Sequence, residues 1–335
     1  MISFAPMEGI GTCYYRRIHH RFFPEGMDRF YTPFLSVHPY LAFRKRDLRE
    51  IVPKDTDTDE DREIRRMTVP QILAKNSREI VWAVRKLSGY GFKEINLNLG
   101  CPSGTVVKKG GGAGMLADKD RLDRTLDEVF SDENFAGTGA VLSVKTRLGI
   151  GEVEEFHEIL SIFNRYPVKE VIVHPRLLCE QYRGRPHRDV FSWALEHSRI
   201  PLAYNGDLFT ASDIASFRDE FPEVGHIMLG RGIVSDPALI REASGGQKIT
   251  LSELKGFVDA ITAEYTAILD NDAQLLLKLK ELWFYMSALF VTKDGGDPAR
   301  YTRKLLSARS MEDYRNALRN LYGSCELGGH FTGTP

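Results

Sequence analysis

The stretch Glu94-Ile95-Asn96-Leu97-Asn98-Leu99-Gly100-Cys101-Pro102-Ser103 holds the side chains best suited to chemistry. Strand alternation puts Ile95, Leu97 and Leu99 on one face and Asn96 and Asn98 on the other. Two amides on an otherwise apolar strand need partners, since each polar group left bare in the interior costs about 1–3 kcal/mol. A pocket with a polar ligand would supply them. Cys101 follows between glycine and proline, as either a thiol on a loop past the strand or a packed core cysteine. Downstream, Lys108-Lys109-Gly110-Gly111-Gly112-Ala113-Gly114 could cradle phosphate, or could simply let backbone and a bulky group come close.

Three further clusters have chemical potential. Ser143, Lys145 and Arg147 share one face of Leu142-Ser143-Val144-Lys145-Thr146-Arg147-Leu148-Gly149 by period two. Two cations inside a fold require an anionic or electron-rich partner; the alternative is a salt-bridged pair on the surface. Val171-Ile172-Val173-His174-Pro175-Arg176 places an imidazole and a guanidinium where an apolar run stops, and imidazole there can hydrogen-bond a ring carbonyl. Asn205-Gly206-Asp207 and Leu229-Gly230-Arg231-Gly232 are small-residue loops suited to a phosphate, with Arg231 adding charge-assisted hydrogen bonds.

These clusters need strands to position them. Short β-branched or aromatic runs at 2–5, 29–34, 68–74, 94–97, 141–146, 170–174, 202–204 and 226–229 give about eight strands before residue 240. Helical stretches at 77–87, 120–130, 154–163 and 211–217 separate them, and such alternation predicts a parallel sheet closed as a (β/α)8 TIM barrel over residues 1–245. An open doubly wound sheet is disfavoured, because the first strand leads into Ala5-Pro6-Met7-Glu8-Gly9, which is not a GxGxxG loop. From Ser252 onward the β signal disappears, and 253–269, 273–290, 300–308 and 312–322 read as helices. A helical domain over 250–323 and a flexible tail over 324–335 are expected. The charged run from Lys54 to Glu63 reads as a solvated surface loop; it lacks the glycine and closing glutamate of a calcium loop, and no metal is expected.

Composition narrows the class. The chain has 335 residues, 42% hydrophobic and 27% charged, enough for a sizeable core. With 45 basic and 46 acidic residues the net charge is -1, which excludes a globally basic nucleic-acid binder but not a local basic face. Residues 241–335 hold 12 basic and 12 acidic residues, so the tail is no cationic arm. Apolar runs fall short of the roughly 18–20 residues of a membrane span, and no export signal opens the chain, so a cytoplasmic protein is expected. Cys13, Cys101, Cys179 and Cys325 are too scattered for a disulfide framework or a zinc site, and a monomer is expected.

Taken in order, the motifs resemble those of the tRNA-dihydrouridine synthases: Ala5-Pro6-Met7-Glu8-Gly9, Asn98-Leu99-Gly100-Cys101-Pro102-Ser103 with its glycine loop, Val144-Lys145-Thr146-Arg147, Val173-His174-Pro175-Arg176, Asn205-Gly206-Asp207 and Leu229-Gly230-Arg231-Gly232. The resemblance implies an FMN enzyme, recharged by NADPH, that reduces the C5–C6 double bond of uridines in tRNA. It implies that Pro6, Met7 and Glu8 line the flavin ring, that Gln71 hydrogen-bonds it, and that Lys145 and His174 hold its pyrimidine edge. It further implies Asn205, Gly206, Asp207, Gly230 and Arg231 at the ribityl phosphate, Cys101 as proton donor, and Asn98, Arg147 and Arg176 toward the substrate. A thiol of ordinary pKa, about 8.5, is mostly protonated near neutrality and suits that acid role. The family commonly carries His-Gly-Arg-Thr where this chain has His174-Pro175-Arg176-Leu177, and Pro175 removes a backbone donor at that turn. The competing readings are a flavin barrel acting on a free pyrimidine or other small molecule, and a catalytically silent RNA-binding protein. Candidate RNA contacts are the basic patches at 16–21, 44–46, 183–188 and 300–304.

Overall fold

The computed structural model describes residues 1–51 and 58–333. Its main sheet has ten short parallel strands: β1 Ile2–Phe4, β2 Arg29–Tyr31, β3 Leu35–Ser36, β4 Thr68–Val69, β5 Gln71–Leu73, β6 Glu94–Leu99, β7 Val141–Arg147, β8 Val171–His174, β9 Leu202–Tyr204 and β10 Ile227–Leu229. The spatial order is β3-β5-β6-β7-β8-β9-β10-β1-β2-β4. Because β2 pairs with β4 and β3 with β5, β2 and β3 form one interrupted barrel strand and β4 and β5 its interrupted neighbour, the latter broken at Pro70. A proline cannot donate to the ladder, so the pairing breaks there and resumes at Gln71. Eight barrel positions result, as the strand–helix alternation predicts.

The chain divides into two compact units. The first comprises 1–6, 28–206 and 221–228 and contains the barrel strands up to Met228; the second comprises 7–27, 207–220 and 229–335. The boundary expected between 245 and 250 falls inside the second unit. Between barrel strands the helices begin where sequence capping dictates: the Asn76 side chain accepts from Glu79 N ahead of Ser77–Gly89, and Asp118 from Arg121 N ahead of Lys119–Phe130. In the second unit, capping boxes open Leu251–Ile268 (Thr250 with Glu253) and Met311–Ser324 (Ser310 with Asp313).

Three expectations are corrected. Residues 59–63 of the charged run are helical, in Asp59–Met67, because Thr58 and Asp61 form a capping box and Ile64 supplies one buried anchor; 52–57 lie outside the described residues. The β signal does not end at 252: β11 Phe290–Thr292 pairs antiparallel with β12 Cys325–Leu327. The partners lie too far apart in sequence for any local hairpin pattern. The flexible tail is therefore ordered through Gly333, with Phe331 only 6% exposed. Among the described residues, no helix is long and apolar enough to cross a membrane.

The barrel interior has an apolar side, with Ala5, Tyr31, Val69, Ile172, Ala203 and Met228 clustered, and a polar side on β5–β7. At the N-terminal ends of the strands, Glu94 holds both Arg29 and Lys169, and His226 links Glu170 Oε2 (2.8 Å) to Ser3 Oγ (2.7 Å). Burial opposes ionisation of Glu94, but the hydrogen bond from Lys169 and the charges of Arg29 and Lys169 outweigh it, so its pKa lies below the usual carboxylate value. A depressed carboxylate pKa contributes stability that is present above the unfolded-state value and is lost as pH falls through the folded one. Glu94→Gln should therefore melt earlier than the parent at pH 7, with the gap narrowing as pH falls below the carboxylate range, as differential scanning calorimetry across pH would read.

Candidate functional site

In the first unit, the C-terminal ends of β5–β8 gather the predicted polar residues. Register places Asn96 beside Ser143, Asn98 beside Lys145, and Arg147 beside His174. The amides form one directed chain. Asn96 Nδ2 donates to Ser143 Oγ (3.0 Å), Gln71 Nε2 to Asn96 Oδ1 (2.8 Å), and Asn98 Nδ2 to Gln71 Oε1 (2.7 Å). Asn98 Oδ1 then accepts the backbone N–H groups of Gly100 (3.1 Å) and Cys101 (2.9 Å). The partners required by the strand's polar face are thus largely one another.

Cys101 is half-buried just past β6. Its carbonyl accepts the Ala113 N–H at 3.2 Å, so its backbone is held from both sides. The glycine-rich loop packs here: a Cβ on Gly112, whose φ is +54°, would lie 2.9 Å from Cys101 O. Close backbone approach, the second of the two readings of that loop, is what the glycine provides.

Lys145 and Arg147 point inward, and neither forms a salt bridge among the described residues, which argues against the surface ion-pair reading. Their environments differ. Arg147 is 1% exposed and donates from Nε to Gly100 O (3.0 Å) and from Nη1 to Leu177 O (3.0 Å) and Gln181 O (2.8 Å). Lys145 is half-buried and has no hydrogen-bond or ion-pair partner among the described residues. Burial, followed by the nearby Arg147 charge, lowers its pKa to about 7, with Cys101 acting in the opposite sense.

Arg176 is fully buried and donates to Arg183 O (3.2 Å), Gly184 O (2.7 Å) and His174 Nε2 (3.1 Å). A guanidinium can only donate, so a neutral His174 carries its proton on Nδ1. Pro175 fits the turn: its carbonyl accepts from His187 N at 2.7 Å, and the next residue's N–H bonds His174 O. The two arginines thereby hold the loop 177–184, whose Gln181 has a φ of +55°. That loop presents Tyr182, 53% exposed, with its ring 5.4 Å from the Arg147 guanidinium and 6.0 Å from the His174 ring. Tyr182 was not singled out by the sequence, where it is one aromatic in a polar loop; only the fold brings it beside His174.

The other predicted residues lie as follows. Pro6 ends the first stretch of the barrel unit, and Asn205 spends Nδ2 on Met228 O at 2.8 Å. A Cβ on Gly206 would meet the Tyr204 hydroxyl at 2.8 Å. In the second unit, Met7 caps a turn by accepting from Ile10 and Gly11 N–H, and Glu8 is exposed. Also in that unit, Arg231, which follows Gly230, bonds Asp207 Oδ1 at 2.6 Å. Among the described residues, no group of three or more His, Cys, Asp or Glu could hold a metal.

Comparison with known proteins adds a family to this geometry. A family model described as dihydrouridine synthase matches residues 3–292. A tRNA-dihydrouridine(16) synthase of Ralstonia nicotianae is 29% identical over 176 residues, 52% of this chain and 51% of the relative, so the match spans about half the length of that protein. A protein of the same name from Aquipseudomonas alcaligenes is 29% identical over 247 residues, covering 72% of this chain and 74% of its own. A probable tRNA-dihydrouridine synthase of Rickettsia conorii is 25% identical over 299 residues, covering 86% and 85%. Among solved structures, histamine dehydrogenase from Rhizobium sp. 4-9 gives a TM-score of 0.53 at 12% identity, covering 79% of this chain and 48% of that one. A 2-naphthoyl-CoA reductase gives 0.52 at 11%, covering 73% and 50%. At such identities these two share the fold.

A lowered lysine pKa means that the folded chain binds fewer protons than the unfolded one between about pH 7 and the ordinary lysine value of 10.5, so stability rises with pH across that window. Lys145→Met should abolish that rise and be relatively most stabilising at neutral pH and below. Denaturant unfolding at pH 6.5 and 9.5 checks it; identical pH slopes for parent and variant would show an ordinary lysine.

Proposed function

Because the chain belongs to the dihydrouridine synthase family, we propose that it is a tRNA-dihydrouridine synthase using FMN and NADPH. The observation that carries this reading is the Cys101 loop, held by Asn98 beside a desolvated lysine that has no partner among the described residues. That lysine is the test of fit for the flavin: an amine without a counter-ion suits an electron-rich ring edge, and His174, with Nδ1 bearing the proton, suits a ring carbonyl. Gln71 would approach the ring beside them, while Pro6, Met7 and Glu8 would line it. Asn205, Gly206, Asp207, Gly230 and Arg231 would hold the phosphate.

Bound FMN, recharged by NADPH, would supply a hydride to C6 of uracil. The Cys101 thiol gives its proton to C5, and the thiolate left behind lies within electrostatic reach of Lys145 and Arg147. Asn98 sets the position of that thiol through the Cys101 N–H and borders the uracil. Arg147 and Arg176 serve the substrate side by holding the loop that carries Tyr182, whose exposed ring offers a stacking face to an extruded base. Arg183 and Arg185 are exposed in the same stretch and suit tRNA phosphates.

Two experiments test this. Cys101→Ala should keep flavin reduction by NADPH but lose dihydrouridine formation about a hundredfold or more, measured on tRNA by mass spectrometry. Normal product would leave Cys101 without a role, and turnover of free uracil in place of tRNA would point to a small-molecule reductase. The names of two relatives make position 16 the first to map. Arg185→Glu should weaken tRNA binding and reduce the log–log salt slope by about 1 or more, with FMN affinity intact. An unchanged slope would remove this patch from the interface.

A further inference from the structure

The second unit contains a contact that the proposed reaction does not use. After β12, the N–H groups of Gly328 and Gly329 both donate to Leu289 O at 2.9 Å, turning the chain back. A side chain could not replace Gly329, where a Cβ would lie 2.3 Å from Ala288 O. The turned segment lays Phe331 edge-on against Phe209 (centroids 5.2 Å, 83°) and beside Tyr285 (5.5 Å). Two residues on, Gly333 O accepts from Arg231 Nη1 at 2.9 Å. Gly333 has a φ of +86°, and a Cβ there would meet the Phe209 ring at 2.6 Å.

Arg231 is thus fixed on three sides. Nη2 donates to Asp207 Oδ1 at 2.6 Å, Nη1 to Gly333 O, and the guanidinium lies 5.1 Å from the Phe209 ring centroid. Phe209 is itself braced, because Asp213 Oδ2 accepts the N–H groups of Phe209 and Thr210, both at 2.9 Å. The ring that Arg231 faces is the ring that Phe331 packs against. Removing Phe331 would therefore free Phe209 and withdraw Gly333 O together, leaving a long side chain with Asp207 as its remaining anchor from this set.

We propose that the C-terminal segment 328–333 belongs to the flavin-phosphate site, with Phe331 as a positioning residue that holds the Arg231 guanidinium in place for the phosphate through Phe209 and Gly333. The inference rests on the reading of Arg231 as a phosphate ligand and adds to it a part of the chain lying beyond residue 292, where the family match ends. Preorganising a side chain as long as arginine spares ordering entropy at the moment of binding, worth about tenfold in affinity.

The test compares FMN with riboflavin, which lacks the phosphate, by quenching of flavin fluorescence on the full-length apoprotein. The parent should bind FMN more tightly than riboflavin; no such preference would overturn the phosphate reading itself. Given that preference, Phe331→Ala and a truncation after Gly328 should each weaken FMN about tenfold while leaving riboflavin affinity unchanged, and Phe331→Tyr should restore FMN affinity. Unchanged FMN affinity in both variants, or an equal loss for both flavins, would overturn the positioning role. Thermal melting of each variant, read alongside, separates the truncation from a general loss of fold: a variant that melts below the assay temperature is replaced by Phe331→Leu, for which the same FMN-specific loss is required.

Discussion

The chain of amides from Ser143 through Asn96, Gln71 and Asn98 to the backbone of Cys101 is the constraint on which the site depends. Each amide donates to the one before it and accepts from the one after, so the direction of every member is set by its neighbours. Such a network is favourable only when complete, because a bare buried polar group costs about 1–3 kcal/mol. It ties three barrel strands together at the depth where their C-terminal ends open, and it terminates on the peptide N–H of Cys101. The backbone of β5–β7 and the placement of Cys101 are thus a single problem with a single solution.

The opposite end of the same strands is closed differently. There Glu94 collects Arg29 and Lys169, and His226 joins Glu170 to Ser3. Charges satisfy one another at the floor, whereas neutral amides satisfy one another below the mouth. The consequence is that no carboxylate among the described residues pairs with Lys145, and its charge is left to whatever binds there.

Much of this was legible from sequence, and the parts that were not share a physical cause. Strand positions followed from alternation, and the inward direction of Asn96, Asn98, Lys145 and Arg147 followed from period two once β6 and β7 were placed. Helix starts are fixed by caps at Asn76, Asp118, Thr250 and Ser310, and Thr58 with Asp61 forms the same device in the charged run that reads as a loop, where charge density hides the helix. What stayed hidden depends on contacts between residues distant in sequence. β11 finds β12 only after two intervening helices, and Phe331 meets Phe209 across more than a hundred positions, so neither leaves a periodic trace. Tyr182 likewise becomes notable only when Arg147 and Arg176 hold its loop.

The three inward cations also divide by chemistry in a way their shared charge conceals. A guanidinium presents five donors in a plane and can be spent on carbonyls, and Arg147 and Arg176 each satisfy three backbone or ring acceptors inside the first unit. Burying them rigidifies the loops without asking anything of a ligand. An ammonium is a compact, strongly hydrated charge, and desolvation moves its pKa readily, as it does for Lys145. Exchanging the types would undo both roles: a lysine at 147 could not bridge Gly100, Leu177 and Gln181 at once, and an arginine at 145 would remain charged at every accessible pH while seeking carbonyls of its own. The sequence Lys145-Thr146-Arg147 therefore encodes a division between a residue that waits for a partner and one that positions the loop above it.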